Sequence, residues 1–145
     1  MKALVQRVKS ASVEINGKLF SKINAGMLIF LGVEKDDKIE NAENLAKKVV
    51  KFRIFEDENE KMNYSILDTK GEILVVSQFT LAGNCEKGNR PSFENAAKPE
   101  IANELYEQFV TYLKAFGIKT ETGKFRAMMN VSLINDGPVT FMLEK

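Results

Sequence analysis

The feature that most constrains the fold is a run of four apolar residues, Ile73-Leu-Val-Val76, most of which are β-branched. Such a run predicts a central strand that is buried on both faces. Three polar residues, Ser77, Gln78 and Thr80, follow the run directly. Hydroxyls and an amide at the end of a buried strand are compatible with a functional site, but strands commonly end in turn formers for structural reasons alone. The local pattern therefore predicts the strand and leaves its function open.

Strand and helix patterns alternate along the rest of the chain. Residues 3–15 show strand-like alternation, and Asn16-Gly17 then predicts a hairpin, because a type I′ turn needs positive φ at both central positions. The other expected elements are a returning strand at 19–23, a buried strand at 27–33, a helix capped by Asp36 or Asp37 that ends near Lys51, a short strand with an acidic turn at 53–62, a loop at 82–93, a helix from Pro99 to a cap at Gly117, and strands at 118–122, 131–134 and 139–143. No repeat or linker divides the 145 residues, so we expect one domain spanning residues 1–145.

Composition excludes several kinds of site. The chain has no histidine, which rules out Ser-His-Asp and Cys-His catalysis and any zinc site that uses histidine. Its scattered glycines form no phosphate-binding loop, and we expect neither a cofactor nor a metal ion. A net charge of +1 argues against a wide electrostatic footprint on a nucleic-acid duplex, but it does not exclude a partner that presents one end of a nucleic acid.

The cellular compartment is also constrained. The first residues, Met1-Lys-Ala-Leu-Val-Gln-Arg7, contain no long apolar segment, and the single cysteine, Cys85, cannot form a disulfide within the chain. We therefore expect a cytoplasmic protein that has no membrane partner.

Two separated stretches are more specific than these patterns. Ser77-Gln-Phe-Thr-Leu81 and Asn135-Asp-Gly-Pro-Val-Thr140 resemble the two signature motifs of the D-aminoacyl-tRNA deacylases. Further stretches resemble the same family in the same order: Val5-Gln-Arg-Val8, Gly32-Val-Glu34, Arg53-Ile-Phe-Glu-Asp57, Lys61-Met-Asn63 and Lys87-Gly-Asn-Arg-Pro-Ser-Phe93. Several spaced motifs in one order are more specific than any one of them, and together they cover nearly the whole chain.

The resemblance implies both a fold and a substrate. The implied fold is a single α/β domain with a curved, barrel-like, mostly antiparallel sheet packed with two main helices. The implied assembly is a homodimer whose active site lies at the subunit interface. The implied partner is the 3′ end of an aminoacylated tRNA, and the reaction is hydrolysis of the ester between a D-amino acid and the terminal ribose. Such an activity proofreads chirality for translation.

The first motif, Ser77, Gln78, Phe79 and Thr80, is the expected catalytic segment. Ester hydrolysis needs a positioned water and donors for the oxyanion, and main-chain N–H groups of the Gln78-Phe79-Thr80 turn can supply those donors. Thr80 is either a nucleophile or a positioning group, and the absence of an activating base favours positioning. We expect the 2′-hydroxyl of the terminal ribose to assist the water.

The second motif is expected to select the substrate. The resemblance implies a cis bond between Gly137 and Pro138, with successive carbonyls that accept hydrogen bonds from the substrate ammonium group in the neighbouring subunit and leave no room for an L side chain. Glycine has no side chain to exclude, so glycyl-tRNA, including that mischarged on tRNA(Ala), is also an expected substrate. Arg7 is either a surface arginine or a brace for these carbonyls. Met129 is either a pocket or a core residue.

The tRNA contacts and three departures complete the expectations. Lys87 and Arg90 either bind phosphates near the tRNA terminus or belong to a solvated loop. The chain departs from the family pattern at Arg126, where a glycine is usual, at Met128, where an acidic residue is common, and at Asn84-Cys85. Two alternative functions remain: a catalytically silent dimer that binds tRNA ends, and a hydrolase of small D-amino acid esters that does not need RNA.

Overall fold

The computed structural model describes residues 1–145. Its elements follow the chain as β1 (Lys2–Ile15), β2 (Lys18–Ile23), β3 (Gly26–Gly32), α1 (Ile39–Val50), β4 (Phe55–Glu56), β5 (Met62–Tyr64), α2 (Ile66–Thr69), β6 (Glu72–Ser77), a one-turn 3₁₀ helix (Phe79–Ala82), α3 (Pro99–Ala115), β7 (Thr120–Thr122) and β8 (Asn130–Glu144). None of the helices combines the length and the apolar character that crossing a membrane requires.

One curved sheet contains six of the strands. Its order is β2-β1-β3-β6-β7, and β8 pairs with β1 along the remaining edge of that strand. The pairs of β1 with β2, β3 and β8 are antiparallel, whereas β6 is parallel to both of its neighbours. The hydroxyl of Ser21 in β2 donates to the carbonyl of Thr122 in β7 over 2.8 Å, which links the two ends of the strand order and nearly closes a barrel. The expected mostly antiparallel, barrel-like α/β fold is confirmed.

The central strand β6 is buried on both faces, as its apolar run predicts. Ile73 and Val75 belong to the large core formed between the sheet and helices α1 and α3. Leu74 and Val76 point the other way, into a smaller cluster on the inner face of the curved sheet. This alternation follows from the two-residue period of a strand. A strand placed in this way can expose polar groups only beyond its ends.

The N-terminus of α1 differs from the expectation. Neither Asp36 nor Asp37 caps the helix, which begins after Lys38. The carboxylate of Asp37 instead accepts a hydrogen bond from the Glu34 amide over 2.7 Å and pairs with the N-terminal ammonium group of Met1. The N-terminal ammonium group, 36 positions away in the sequence, outcompetes the local cap, and sequence spacing cannot reveal that partner.

The backbone conformation at Arg126 explains why a glycine is usual at this position. Its φ is +61°, in the left-handed region where a side chain costs roughly 1–2 kcal/mol. Its side chain is exposed, so no burial compensates for this backbone conformation. The departure from the family pattern is therefore a local cost in stability.

Replacing Arg126 by glycine should raise the free energy of unfolding. Glycine relieves the strain of the left-handed conformation, and this gain exceeds the free-energy cost of the extra conformational entropy that glycine gives the unfolded chain. The free energy of unfolding is therefore expected to rise by up to about 1 kcal/mol. Urea denaturation measures the difference. Arg126→Ala is the matched control, because it removes the same long side chain but keeps Cβ and should give no gain. Equal stability of the two variants would contradict the strain argument.

Candidate active site

The first motif lies where β6 leaves the sheet. Ser77 pairs with Leu31 of β3, and the next amide, that of Gln78, donates to the Leu31 carbonyl over 2.8 Å. The chain then turns into the 3₁₀ helix, which packs on Gly32. A Cβ at Gly32 would lie 2.9 Å from Leu81 Cβ and 3.2 Å from the Gln78 carbonyl oxygen, so only glycine permits this close approach. The position of the turn is therefore set by the strand and by one glycine.

Thr80 is exposed and hydrogen-bonded to a neighbour in its own motif. The Gln78 side chain donates from Nε2 to Thr80 Oγ1 over 2.6 Å. An amide nitrogen cannot accept a proton from the hydroxyl, so this contact orients Thr80 without activating it as a nucleophile. The geometry favours the positioning role over the nucleophilic one.

The amides of the turn are not equivalent. The Gln78 amide is already paired with Leu31 in the sheet. Those of Phe79 and Thr80 open the 3₁₀ helix, where a main-chain N–H has no acceptor within the helix. The turn thus offers two adjacent donors to a ligand, rather than the three that the sequence suggests.

Tyr106 of α3 anchors the end of β6 from the core side. Its hydroxyl donates to the Val75 carbonyl over 2.9 Å, and the same carbonyl accepts from the Gly123 amide, also over 2.9 Å. Burial raises the pKa of the Tyr106 phenol above its ordinary value, so the group remains a protonated donor. Sequence analysis missed this anchor, because an apolar helix stripe carries no sign of which hydroxyl reaches the sheet.

The second motif is an excursion from β8. Gln6 of β1 pairs with Thr140 and Val8 pairs with Asn135, so the four residues between those partners stand opposite Arg7 alone. The expectation of two strands, 131–134 and 139–143, is corrected here: one strand, Asn130–Glu144, continues through the excursion. The bond between Gly137 and Pro138 is cis, and both residues are exposed. We call residues 136–139 the Gly-Pro bulge.

The Asn135 side chain closes the base of the Gly-Pro bulge. Its Oδ1 accepts from the Val139 amide over 2.9 Å and its Nδ2 donates to the Val139 carbonyl over 3.0 Å, which replaces the missing ladder pair. A Cβ on Gly137 would lie 2.1 Å from the Val139 nitrogen and 3.1 Å from Asn135 Oδ1. The bulge therefore requires glycine, and at Gly137 it exposes main-chain groups that no side chain covers.

Arg7 lies beneath the Gly-Pro bulge and is only 6% exposed, so the surface interpretation of this residue is wrong. Its Nε donates to the Asp136 carbonyl over 2.8 Å, at the first residue of the bulge. Its Nη1 donates to the Ile54 carbonyl over 2.7 Å, and its Nη2 donates to Glu56 Oε1 over 3.0 Å. The guanidinium group thus connects the bulge to the β4 segment, and its contact with the bulge is at the carbonyl that precedes Gly137.

The remaining expected residues are Met129, Lys87 and Arg90. Met129 is half-buried against the inner cluster of the sheet, and its sulfur lies 2.8 Å from where a Gly123 Cβ would be. Lys87 and Arg90 are exposed in a loop that is closed by paired main-chain hydrogen bonds between Asn84 and Ser92. Neither cation forms an ion pair within the chain, which leaves both free for a partner.

The two motifs do not meet within one chain. Arg7, beside the Gly-Pro bulge, pairs with Met27 of β3, whereas Ser77 pairs with Leu31 of the same strand. This register separates the motifs by about 13 Å along the strands and by three strand spacings, about 14 Å, across the sheet. A single ester bond cannot contact both motifs of one protomer.

Comparisons with known proteins agree over nearly the whole chain. A family model described as D-Tyr-tRNA(Tyr) deacylase matches residues 4–144. A protein from Desulfatibacillum aliphaticivorans named D-aminoacyl-tRNA deacylase is 60% identical over 144 residues, covering 99% of each chain. One of the same name from Thermosipho africanus is 56% identical over 144 residues, covering 99% of this chain and 97% of the relative.

Two solved structures are similar in shape. One, described as c-Myc DNA Unwinding Element Binding Protein, has a TM-score of 0.94 and 41% sequence identity, covering 100% of this chain and 99% of that chain. The other, described as a probable eukaryotic D-amino acid tRNA deacylase, has a TM-score of 0.86 and covers 99% of this chain and 98% of that chain. At 16% identity, this second likeness concerns the fold alone.

Proposed function

Because the chain belongs to the D-Tyr-tRNA(Tyr) deacylase family of ester hydrolases, we propose that its substrate is D-aminoacyl-tRNA and that it releases free D-amino acid and tRNA. We assign this activity to one domain spanning residues 1–145 and acting in the cytoplasm. The observation that carries the proposal is the Gly-Pro bulge, an exposed turn whose base is held by the Asn135 side chain and whose first carbonyl is held by Arg7. Such a surface can recognise an α-carbon by shape.

The Ser77–Thr80 segment is the proposed site of hydrolysis. Water adds to the ester carbonyl, and the oxyanion that forms accepts hydrogen bonds from the free amides of Phe79 and Thr80. Losing one such donor typically costs about 2.7–4 kcal/mol in the transition state. Thr80, held by Gln78, orients the reacting groups. The intermediate collapses by releasing the ribose 3′-oxygen, and the adjacent 2′-hydroxyl relays the proton from the water to that oxygen.

The Gly-Pro bulge is the proposed chiral filter. Its main-chain carbonyls accept hydrogen bonds from the substrate ammonium group, which fixes the α-carbon. The side chain of a D-amino acid then points away from the bulge, whereas that of an L-amino acid would overlap it. Glycine has nothing to exclude, so the proposal includes glycyl-tRNA mischarged on tRNA(Ala) as a substrate.

A homodimer is needed to bring the two motifs to one ester, since they lie apart within a chain. β8 supports this assembly, because its 15 residues pair along one edge only and the other edge is open. A long unpaired strand edge can form main-chain hydrogen bonds with a strand of another chain. Three large apolar side chains of this strand are also exposed: Ile134, Phe141 and Met142. In the proposed dimer, the Gly-Pro bulge of one protomer reaches the Ser77–Thr80 segment of its partner.

Lys87 and Arg90 are proposed to hold the phosphates of the tRNA 3′ end. The closed loop that carries them follows the 3₁₀ helix directly, and the ring of Phe93 at its far end lies 5.0 Å from the ring of Phe79. Cations near the reacting end position a nucleic acid without reading its sequence. The net charge of +1 is compatible with a nucleic acid that is bound at one end only.

The purified protein should hydrolyse D-tyrosyl-tRNA at least about a hundredfold faster than L-tyrosyl-tRNA, which corresponds to about 2.7 kcal/mol between the two transition states. Glycyl-tRNA should be hydrolysed as well, because the filter acts by exclusion. Release of labelled amino acid measures all three rates. Binding of tRNA without hydrolysis of any ester would favour the silent dimer, and equal rates on D-tyrosyl-tRNA and on a small D-tyrosine ester would favour a hydrolase that does not need RNA.

A 2′-deoxy terminal adenosine should abolish turnover of the D ester but leave binding intact, because the hydroxyl assists the water and the protein has no histidine to replace it. Single-turnover hydrolysis and filter binding of the same deoxy substrate give the two readouts. Turnover of the deoxy substrate at the ordinary rate would exclude assistance by the RNA.

Complementation tests whether the site is shared. Thr80→Arg blocks the exposed first motif and Gly137→Ala disrupts the bulge, so each variant alone should be inactive. In an equal mixture of chains, half of the dimers are mixed and each of those has one intact site, which restores about a quarter of wild-type activity. A site contained in one protomer would give no recovery after mixing.

A further inference from the structure

The Arg7 guanidinium group has a second anchor away from the Gly-Pro bulge. Besides the bulge it contacts only the β4 segment, through the Ile54 carbonyl and the Glu56 carboxylate. Arg7 is almost completely buried, and a buried charge is costly unless it is paired and hydrogen-bonded. The partners that satisfy this charge therefore also determine where the guanidinium group sits.

Glu56 is the carboxylate within hydrogen-bond distance of that group. Its Oε1 lies 3.0 Å from Arg7 Nη2, whereas the Asp136 carboxylate lies 3.7 Å from Arg7 Nε and is shared with Lys9 at 4.0 Å. The guanidinium group of arginine is planar and rigid, so the positions of its two Nη atoms determine the orientation of its Nε–H group. Fixing Nη1 and Nη2 on the β4 side consequently fixes the direction of the Nε–H bond to the Asp136 carbonyl.

The hairpin of β4 and β5 that carries Glu56 is itself tightly held. Arg53 donates to the carbonyl and to Oδ1 of Asn63 over 2.7 and 2.6 Å, across the hairpin. Asp57 accepts from the Asn63 side chain and from the amides of Lys61 and Asn59, contacts that lower the pKa of its carboxyl. The hairpin is a rigid support immediately next to Glu56.

We infer that Glu56 is a positioning residue for the Gly-Pro bulge, acting through Arg7, and that the β4–β5 hairpin thereby sets the D over L selectivity of the enzyme. Glu56 does not touch the substrate. It holds the guanidinium group that holds the first carbonyl of the bulge, and Gly137 and Pro138 follow that carbonyl directly. The inference rests on the proposed function, because it concerns the geometry of the same chiral filter.

Two substitutions separate positioning from general stability. Glu56→Ala removes the acceptor of Arg7 Nη2, whereas Glu56→Gln keeps an oxygen in its place. Glu58→Ala is the matched control, since Glu58 lies on the same hairpin but accepts from the Tyr64 hydroxyl and does not contact Arg7. Glu56 and Glu58 are both exposed on the same hairpin, so Glu58→Ala controls for the loss of a carboxylate from that hairpin.

Glu56→Ala should lower kcat/KM for D-tyrosyl-tRNA about tenfold, the effect of losing one partly exposed charge-assisted hydrogen bond. The loss should fall mainly on KM, because the bulge binds the ammonium group already in the ground state. The ratio of D to L rates should fall as well. Glu56→Gln should recover most of both quantities, and Glu58→Ala should match the wild type. The Arg7 Nε–H resonance in ¹H–¹⁵N spectra should shift in Glu56→Ala only.

Three outcomes would count against the inference. An active wild type whose D to L ratio and Arg7 Nε–H resonance are unchanged in Glu56→Ala would overturn it and leave the proposed function standing. An equal loss of selectivity in Glu58→Ala would show a general effect of the hairpin, with the same consequence. A wild type that hydrolyses no D ester would overturn the proposed function itself and this inference with it.

Discussion

The structure depends on the burial of β6 on both faces. A strand that packs against helices on one face and against the inner cluster of a curved sheet on the other has no exposed side chain along its length. Its polar continuation can appear only where it leaves the sheet, at Ser77. The carboxyl end of β6 is fixed in place by its pairing with β3 and by the hydrogen bonds that Tyr106 and Gly123 donate to the Val75 carbonyl. The same packing that stabilises the core therefore also places the proposed catalytic segment.

The proposed site relies on the main chain where other hydrolases use titrating side chains. The Ser77–Thr80 segment carries no titrating side chain, so its amides, hydroxyls and carbonyls are the groups that it can offer, and their usefulness depends on direction more than on acidity. Direction is supplied by neighbours that leave little freedom. Gly32 admits the 3₁₀ turn against β3, and the Asn135 side chain closes the Gly-Pro bulge as a strand would. The supporting contacts are accordingly as much a part of the proposed site as the groups that they orient.

Sequence reasoning recovered the elements whose signals are local. The β6 run and the Asn16-Gly17 turn carry their own period or backbone preference, and both are where the pattern predicts them. It failed where a residue is positioned by a partner far away in the sequence. Asp37 does not cap α1 because its carboxylate pairs with the ammonium group of Met1. The gap that suggested two C-terminal strands is bridged by Asn135, whose role as a substitute ladder pair needs the folded register to be seen. The partners of Arg7 could not be seen in the sequence for the same reason.

The Gly-Pro bulge also bears on how the long edge of β8 is managed. An open edge of 15 residues invites unspecific pairing with other chains, which proteins usually prevent with bulges, prolines or charges. Here the bulge interrupts the edge near its middle, and Pro138 removes one main-chain donor. A partner strand cannot run uninterrupted along this edge, so only an approach that accommodates the bulge can bury it. In the proposed dimer the bulge is accommodated beside the partner's Ser77–Thr80 segment. The bulge proposed as the chiral filter thereby also restricts which chain can pair with this one, and in what register.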